Sequence, residues 1–316
     1  MGTPKTGTTS LQATLRTHPQ IFMPKIKEPQ FLASDALPRK KHEKAPRELG
    51  YPKTLADYLA LFEPSTPGQR VGEATPTYLW SRTAAENIAS LQPDARIIAI
   101  LREPASFLHS LHLAFLRGRN EAERDFRKAM SLEADRREGR HIPRCSHRPQ
   151  LLQYSEHVRY VEQLRRYGEH FPAERIMVIV YDDFRADNAA TVRSVLRFLE
   201  VDEDGPIVVK RWVNVTKQSL RSKRTRHVMN SVSRSPGPLA RSTRVTVKAL
   251  TPPTVRDAVL RGVNQMALRE RAGAGRPTAD EDFLMELRRR FKGEVVALSE
   301  YLDRDLVTLW GYQDID

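Results

Sequence analysis

The chain has 316 residues, enough for a domain with a buried core, and its 40% hydrophobic and 29% charged residues are those of a folded protein rather than a disordered one. A formal charge of +13 points to an anionic partner, while the single cysteine, Cys145, excludes an internal disulfide and a thiolate zinc cluster. No apolar run approaches the roughly 18 residues of a membrane span, and MGTPKTGTTS carries no apolar stretch of the secretory kind, so a cytoplasmic location is expected.

In chain order, a Gly/Thr loop opens a helix over 8–17, and an amphipathic helix is predicted over 54–62 with Leu55, Tyr58, Leu59 and Phe62 on one face. A short strand over 71–74 and a helix over 83–91 follow. Residues 95–102, ARIIAILR, form a continuous apolar run of strand length, the pattern of a strand buried on both faces. A helix is predicted from about 105 to 117. Residues 118–150 are polar and charged without a clear strand, and read as a helical lid or acceptor-shaping insertion. An amphipathic helix over 154–170 buries Val158, Val161 and Leu164, a second buried strand covers 175–181, and a helix follows over 189–199. The end, 280–310, is helical and closes on an apolar stripe of Leu306, Leu309 and Trp310 that belongs to the core. No internal repeat or low-complexity tract interrupts this alternation. It is the signature of a single α/β domain with a central, mainly parallel sheet flanked by helices.

Charge is concentrated in one stretch. Eleven Lys/Arg fall between Lys210 and Lys248, and no Asp or Glu occurs from Gly205 to Arg256. Trp212 is its one aromatic, whereas single-stranded nucleic-acid sites interleave aromatics with basic residues for stacking. The stretch therefore reads either as a solvated basic face or as a funnel for a small anion.

Gly2 and Gly7 have the spacing of a phosphate-binding loop, and the hydroxyl residues Thr8, Thr9 and Ser10 open a helix directly after it. A Walker loop reads G-x-x-x-x-G-K-[ST]. Here Thr8 stands at the lysine's place, and the lysine, Lys5, sits inside the loop. From there it could act as a point charge or proton donor on a leaving phosphate. The alternative for these residues is an ordinary Gly/Thr turn before a helix.

PKTGTTSL (residues 4–11) resembles the 5′-phosphosulfate loop of sulfotransferases that use 3′-phosphoadenosine 5′-phosphosulfate (PAPS). LREPASFLHSLHLAFLRG (101–118) resembles that family's 3′-phosphate motif, a strand-end arginine followed eight positions later by a serine, here Arg102 and Ser110. The placement agrees: Arg102 leaves a buried strand at its C-terminal end, where open α/β sheets bind ligands, and a guanidinium fork with a hydroxyl can clamp a phosphate. KIKEPQFL (25–32) resembles the segment carrying the catalytic glutamate in the heparan-type, carbohydrate-modifying branch. GEATPTYL (72–79) resembles another element of that branch, with Ala74 where a lysine often stands.

The resemblance implies a P-loop-type domain binding PAPS as donor co-substrate through Pro4, Lys5, Thr6, Gly7, Thr8, Thr9, Ser10, Arg102 and Ser110, with Arg221, Lys223 and Arg224 in a basic segment, 206–252, that closes on the nucleotide. Lys5 and Glu28 would be catalytic, and Lys27, Glu73 and Tyr78 would face the acceptor. His109 and His112 are the fallback bases, since the phenol-type branch uses a histidine. The acceptor would be a small molecule, glycan or lipid offering a hydroxyl or amine. No metal-ligand motif is present, and neither a metal nor a nucleic-acid partner is expected. The family also carries an apolar strand just before the loop, so the expectation here is a true start upstream of residue 1. The rival readings are an ATP-dependent P-loop kinase, disfavoured by Thr8 in the lysine position, and a non-catalytic anion or nucleic-acid binder, disfavoured by the absence of a reader motif.

Overall fold

The computed structural model describes residues 1–3, 6–36, 51–204 and 280–315. The elements in chain order are α1 (Thr8–Leu15), β1 (Ile21–Phe22), α2 (Leu55–Ala60), β2 (Arg70–Val71), α3 (Thr77–Trp80), α4 (Ala84–Leu91), β3 (Ile97–Leu101), α5 (Pro104–Gly118), α6 (Phe126–Ser131), α7 (Glu133–Arg137), α8 (Tyr160–Gly168), β4 (Ile176–Val180), α9 (Tyr181–Ala186), α10 (Asn188–Phe198), α11 (Glu281–Tyr301) and α12 (Leu306–Leu309). All described pairings are parallel. β1 pairs with β2, and β3 pairs with β4 over Ile97↔Ile176 to Leu101↔Val180.

Residues 1–3 run along the other edge of β3, where the strand leading into the phosphate loop is expected. Gly2 bridges Ile100 in parallel, Thr3 N donates to the Ile100 carbonyl at 3.0 Å, and Ile100 N donates to the Met1 carbonyl at 3.3 Å. Gly2 is required by this approach, because a Cβ there would lie 2.7 Å from the Ile100 carbonyl oxygen.

β3 is buried on both faces, as its apolar run predicts. Ala99 and Leu101 join Phe107, Leu108 and Leu111 of α5, Leu164 of α8 and Leu287, Val295 and Leu298 of α11 in one core. Ile100 turns the other way, onto Leu11 and Leu15 of α1, Ile179, Phe184 and Val195. The start of α5 is written locally: Glu103 caps it by accepting from Ala105 N at 3.1 Å and Ser106 N at 2.7 Å, and Pro104 occupies the first turn.

Three expectations are corrected. The helix expected over 154–170 is a 3₁₀ segment, Tyr154–Val158, followed by α8. On α2, Tyr58 is buried, but Leu55 and Leu59 are each 48% exposed, so the helix packs on the face of its aromatic residue. At the C-terminus Leu306 and Trp310 are buried, whereas Leu309 is exposed.

Candidate active site

The first turn of α1 is the anion-seeking end of the site. Its N-cap is Gly7, in the left-handed region at φ 84°, with no side-chain cap. The leading amides of α1 thus lack the acceptor that a serine or aspartate cap would supply, and together with the helix dipole they favour a phosphate. A Cβ on Gly7 would lie 2.7 Å from Cε1 of Phe184, so the close approach and the positive φ both require glycine. Thr6 is fully buried and donates its hydroxyl to the Thr3 carbonyl at 2.6 Å. That hydroxyl shapes the loop. Thr8 and Thr9 are half-buried and Ser10 is buried. Pro4 and Lys5 lie outside the described residues, as do Arg221, Lys223 and Arg224.

Lys27, expected to face the acceptor, touches this same turn. Its Nζ donates to Thr9 Oγ1 at 2.7 Å and pairs with Glu28 Oε1 at 2.8 Å. The structure therefore brings the expected base to the mouth of the phosphate loop through one bridging ammonium. Glu28 and Gln30, on either side of Pro29, both have left-handed backbones, φ 54° and 57°, a conformation non-glycine residues hold only when their surroundings fix it. Here Gln30 N donates to Thr75 Oγ1 at 3.4 Å, Leu32 N to Tyr78 Oη at 3.3 Å, and Asn87 Nδ2 to the Leu32 carbonyl at 2.8 Å.

Glu73 organises that support. It accepts from Thr75 Oγ1 at 2.7 Å and from Tyr58 Oη at 3.4 Å. Burial pushes its carboxyl above the usual range, partly offset by the hydroxyls of Tyr78, Thr75 and Tyr58. Glu73 and Tyr78, both expected at the acceptor, thus form the floor on which the Glu28 segment rests.

Arg102 leaves β3 and turns to Ser106, not to Ser110. Its Nε donates to Ser106 Oγ at 3.1 Å, and its guanidinium lies over the Tyr181 ring, 5.1 Å from the centroid. Ser110 is half-buried one turn further along α5, on the same face as Ser106. Ser106 and Tyr181 were missed from sequence. Ser106 was discoverable as the residue four on from Arg102 in a helix whose start is marked by Glu103-Pro104, whereas nothing local points to Tyr181.

The fallback bases behave differently from each other. His112 is 1% exposed, and its ring nitrogens are engaged by Tyr154 Oη at 3.0 Å and the Arg124 carbonyl at 3.2 Å, which seals it from a substrate. His109 is half-buried, and burial, then the charges of His112 and Arg102, pull its imidazole down. The 118–150 segment is helical in part, through α6 and α7, and is braced internally by a buried bidentate pair to which Tyr154 is hydrogen-bonded from outside the segment. Arg136 holds Glu121 at 2.8 and 3.0 Å, and Tyr154 Oη donates to Glu121 at 3.1 Å.

A cavity of ≈ 680 Å³ lies between the β1–β2 pair and β3, lined by Met1, Leu11, Ile21, Val71, Glu73 and Ile98 among others. The Met1 ammonium donates to the Ile98 carbonyl at 2.6 Å, and burial lowers it to about 6 against the raising influence of Glu73. Neither Glu28, Arg102 nor Ser110 lines this cavity.

A family model described as "Sulfotransferase family" matches residues 1–205. The chain belongs to the sulfotransferase family. Its phosphate loop, the Glu28 segment and the Arg102 helix all fall inside the matched span. Carbohydrate sulfotransferase 15 of mouse (Mus musculus) and of human (Homo sapiens) are each 25% identical to this family member over 261 residues, covering 69% of this chain and 45% of theirs, so the chain spans less than half the length of those relatives. A crystal structure of a sulfotransferase from Alicyclobacillus acidocaldarius superposes with a TM-score of 0.64 at 22% identity, covering 98% of this chain and 96% of that one, which supports the P-loop-type fold. Among the described residues, no helix is long and apolar enough to cross a membrane.

Proposed function

We propose that this chain transfers a sulfuryl group from PAPS to a hydroxyl or amine of a carbohydrate, lipid or natural-product acceptor, as one sulfotransferase domain over 1–316. The observation that carries the proposal is the uncapped, glycine-led start of α1 with Lys27 bridging Thr9 to Glu28. It sets an anion site and a carboxylate side by side. With a lone cysteine and no disulfide to form, a reducing, cytoplasmic setting is the location proposed.

In this reading the amides of Gly7, Thr8 and Thr9 hold the 5′-phosphosulfate. Arg102, positioned by Ser106 and Tyr181, takes the 3′-phosphate together with Ser110. Glu28 removes the acceptor proton as the acceptor oxygen or nitrogen bonds to sulfur. The bond between sulfur and the 5′-phosphate oxygen breaks with its electron pair on that oxygen, and adenosine 3′,5′-bisphosphate leaves. Lys5 would stabilise the charge that grows on the leaving oxygen. This is catalysis by positioning and electrostatics.

Calorimetric titration with adenosine 3′,5′-bisphosphate and with ATP–Mg²⁺ tests the donor site. The bisphosphate is expected to bind selectively, and Arg102→Ala to weaken it about 10- to 100-fold, the worth of a charge-assisted hydrogen-bond pair. Preference for ATP–Mg²⁺, or no bisphosphate binding, refutes the reading.

A further inference from the structure

A second, much smaller cavity of ≈ 30 Å³ lies behind Gly2 and Thr3, where α3, α5 and α8 meet. Leu79 and Trp80 of α3 and Phe107 and Leu111 of α5 give it apolar walls. Thr77, the first residue of α3, and Gln163, in the middle of α8, also line it. Each carries one buried oxygen, Thr77 Oγ1 and Gln163 Oε1, with no hydrogen-bond partner among the described residues.

These two oxygens stand out against their surroundings. Thr3 Oγ1 donates to the Ile100 carbonyl at 3.3 Å, Tyr167 Oη to the Tyr78 carbonyl at 2.8 Å, and His157 Nε2 meets the Leu151 carbonyl at 2.9 Å. Gln163 is 1% exposed, so bulk water does not reach its oxygen. Turning its amide over is no remedy. Gln163 Nε2 donates to the Glu156 carbonyl at 2.7 Å, and a carbonyl only accepts, so Nε2 must stay where it is and Oε1 must face the other way. Buried polar atoms are costly to leave unpaired, and folded proteins leave few of them so.

Size and charge decide what fills the cavity. Organic ligands occupy sites of several hundred Å³, far more than this one offers. A metal cation needs anionic or numerous oxygen ligands, and no carboxylate is among the described residues that line the cavity. One water needs about 10–15 Å³ and two to four polar partners. It can donate to Gln163 Oε1 while donating to, or accepting from, Thr77 Oγ1.

We infer that this cavity is a binding site for one ordered water, which bridges Thr77 Oγ1 and Gln163 Oε1 and so ties α3 to α8. The bridge bears on the candidate active site through the next residue along the chain. Tyr78 follows Thr77, and its hydroxyl accepts from Leu32 N in the support of the Glu28 segment. The water belongs to that support and takes no part in donor or acceptor chemistry.

Two measurements on the full chain test this. A crystal structure that resolves ordered water is expected to show one peak within hydrogen-bond distance of both Thr77 Oγ1 and Gln163 Oε1. No peak there, or either oxygen bonded directly to another protein group, overturns the inference. In solution, oxygen-17 relaxation dispersion counts long-lived internal waters without interference from exchanging hydroxyl protons. The double variant Thr77→Val/Gln163→Leu is expected to lose the amplitude of one water relative to the wild type, and an unchanged amplitude overturns the inference. If the double variant does not fold, the wild-type crystal structure still decides.

Discussion

Substituting Gly7 tests whether the phosphate loop is built as described. Gly7→Ala places a Cβ at φ 84° and 2.7 Å from Phe184 Cε1, with Cδ1 at 2.9 Å. The left-handed backbone costs a non-glycine residue about 1–2 kcal/mol. The overlap adds the price of overpacking, about 1–3 kcal/mol, because Phe184 is 3% exposed and wedged among Leu11, Ile179, Val192 and Val195 and has nowhere to retreat. The sum is about 2–5 kcal/mol, measured by chemical denaturation. The two contributions separate in a cycle with Phe184→Leu, which removes the contacting Cε1. The double variant should be more stable than the sum of the single effects predicts by about 1–2 kcal/mol, leaving the backbone cost behind. A Gly7→Ala cost below about 0.5 kcal/mol, or no coupling to Phe184, refutes the geometry of the loop, since distant sites add. Bisphosphate affinity should fall with Gly7→Ala, because the amides that face the phosphate tilt with the cap.

Three further outcomes are expected. Glu28→Gln should lower kcat for sulfuryl transfer by about 10²–10⁴-fold, the range for a lost general base, with bisphosphate affinity unchanged in the same calorimetric titration. Arg136→Met alone should cost about 3–5 kcal/mol in denaturant unfolding, because it strands the fully buried Glu121 carboxylate, and adding Glu121→Leu should recover much of that loss. Burial holds the His157 imidazole at about 4 against an ordinary 6.5. Protons therefore bind the unfolded chain first as pH falls through that window, and stability declines. By linkage the wild type loses about 2 kcal/mol more than His157→Gln between pH 8 and pH 5, and equal pH slopes for the two proteins would refute this.

What the sequence disclosed depended on how local each cause is. β3 was legible because a strand buried on both faces needs an unbroken apolar run, and α5 because Glu103-Pro104 marks its start chemically. β1 was missed and β2 misplaced, since two-residue strands are defined by their pairing with each other, which no local pattern encodes. The α2 face was misjudged at Leu55 and Leu59 because periodicity gives a helix's apolar side but not which of its residues find a neighbour. In the candidate site, the Gly2–Gly7 spacing and the strand-end Arg102 are local signals that a sequence displays directly. The Lys27–Thr9 contact spans 18 positions and the hydrogen bond from Arg148 N to Asn120 Oδ1 spans 28, and both exist only after the chain has folded.

The two halves of the site rest on different cores, which has a consequence for how they can vary. The phosphate loop stands on Leu11, Leu15, Ile100, Ile179 and Phe184. The Glu28 segment stands on Leu32, Ala33, Tyr58, Tyr78 and Ala84, with Glu73 beneath it bound to their hydroxyls. Packing defects propagate mainly within the cluster they strike, so the acceptor side can be repacked without disturbing the anion loop. Lys27 is one described contact between the halves, through Thr9 on one side and Glu28 on the other.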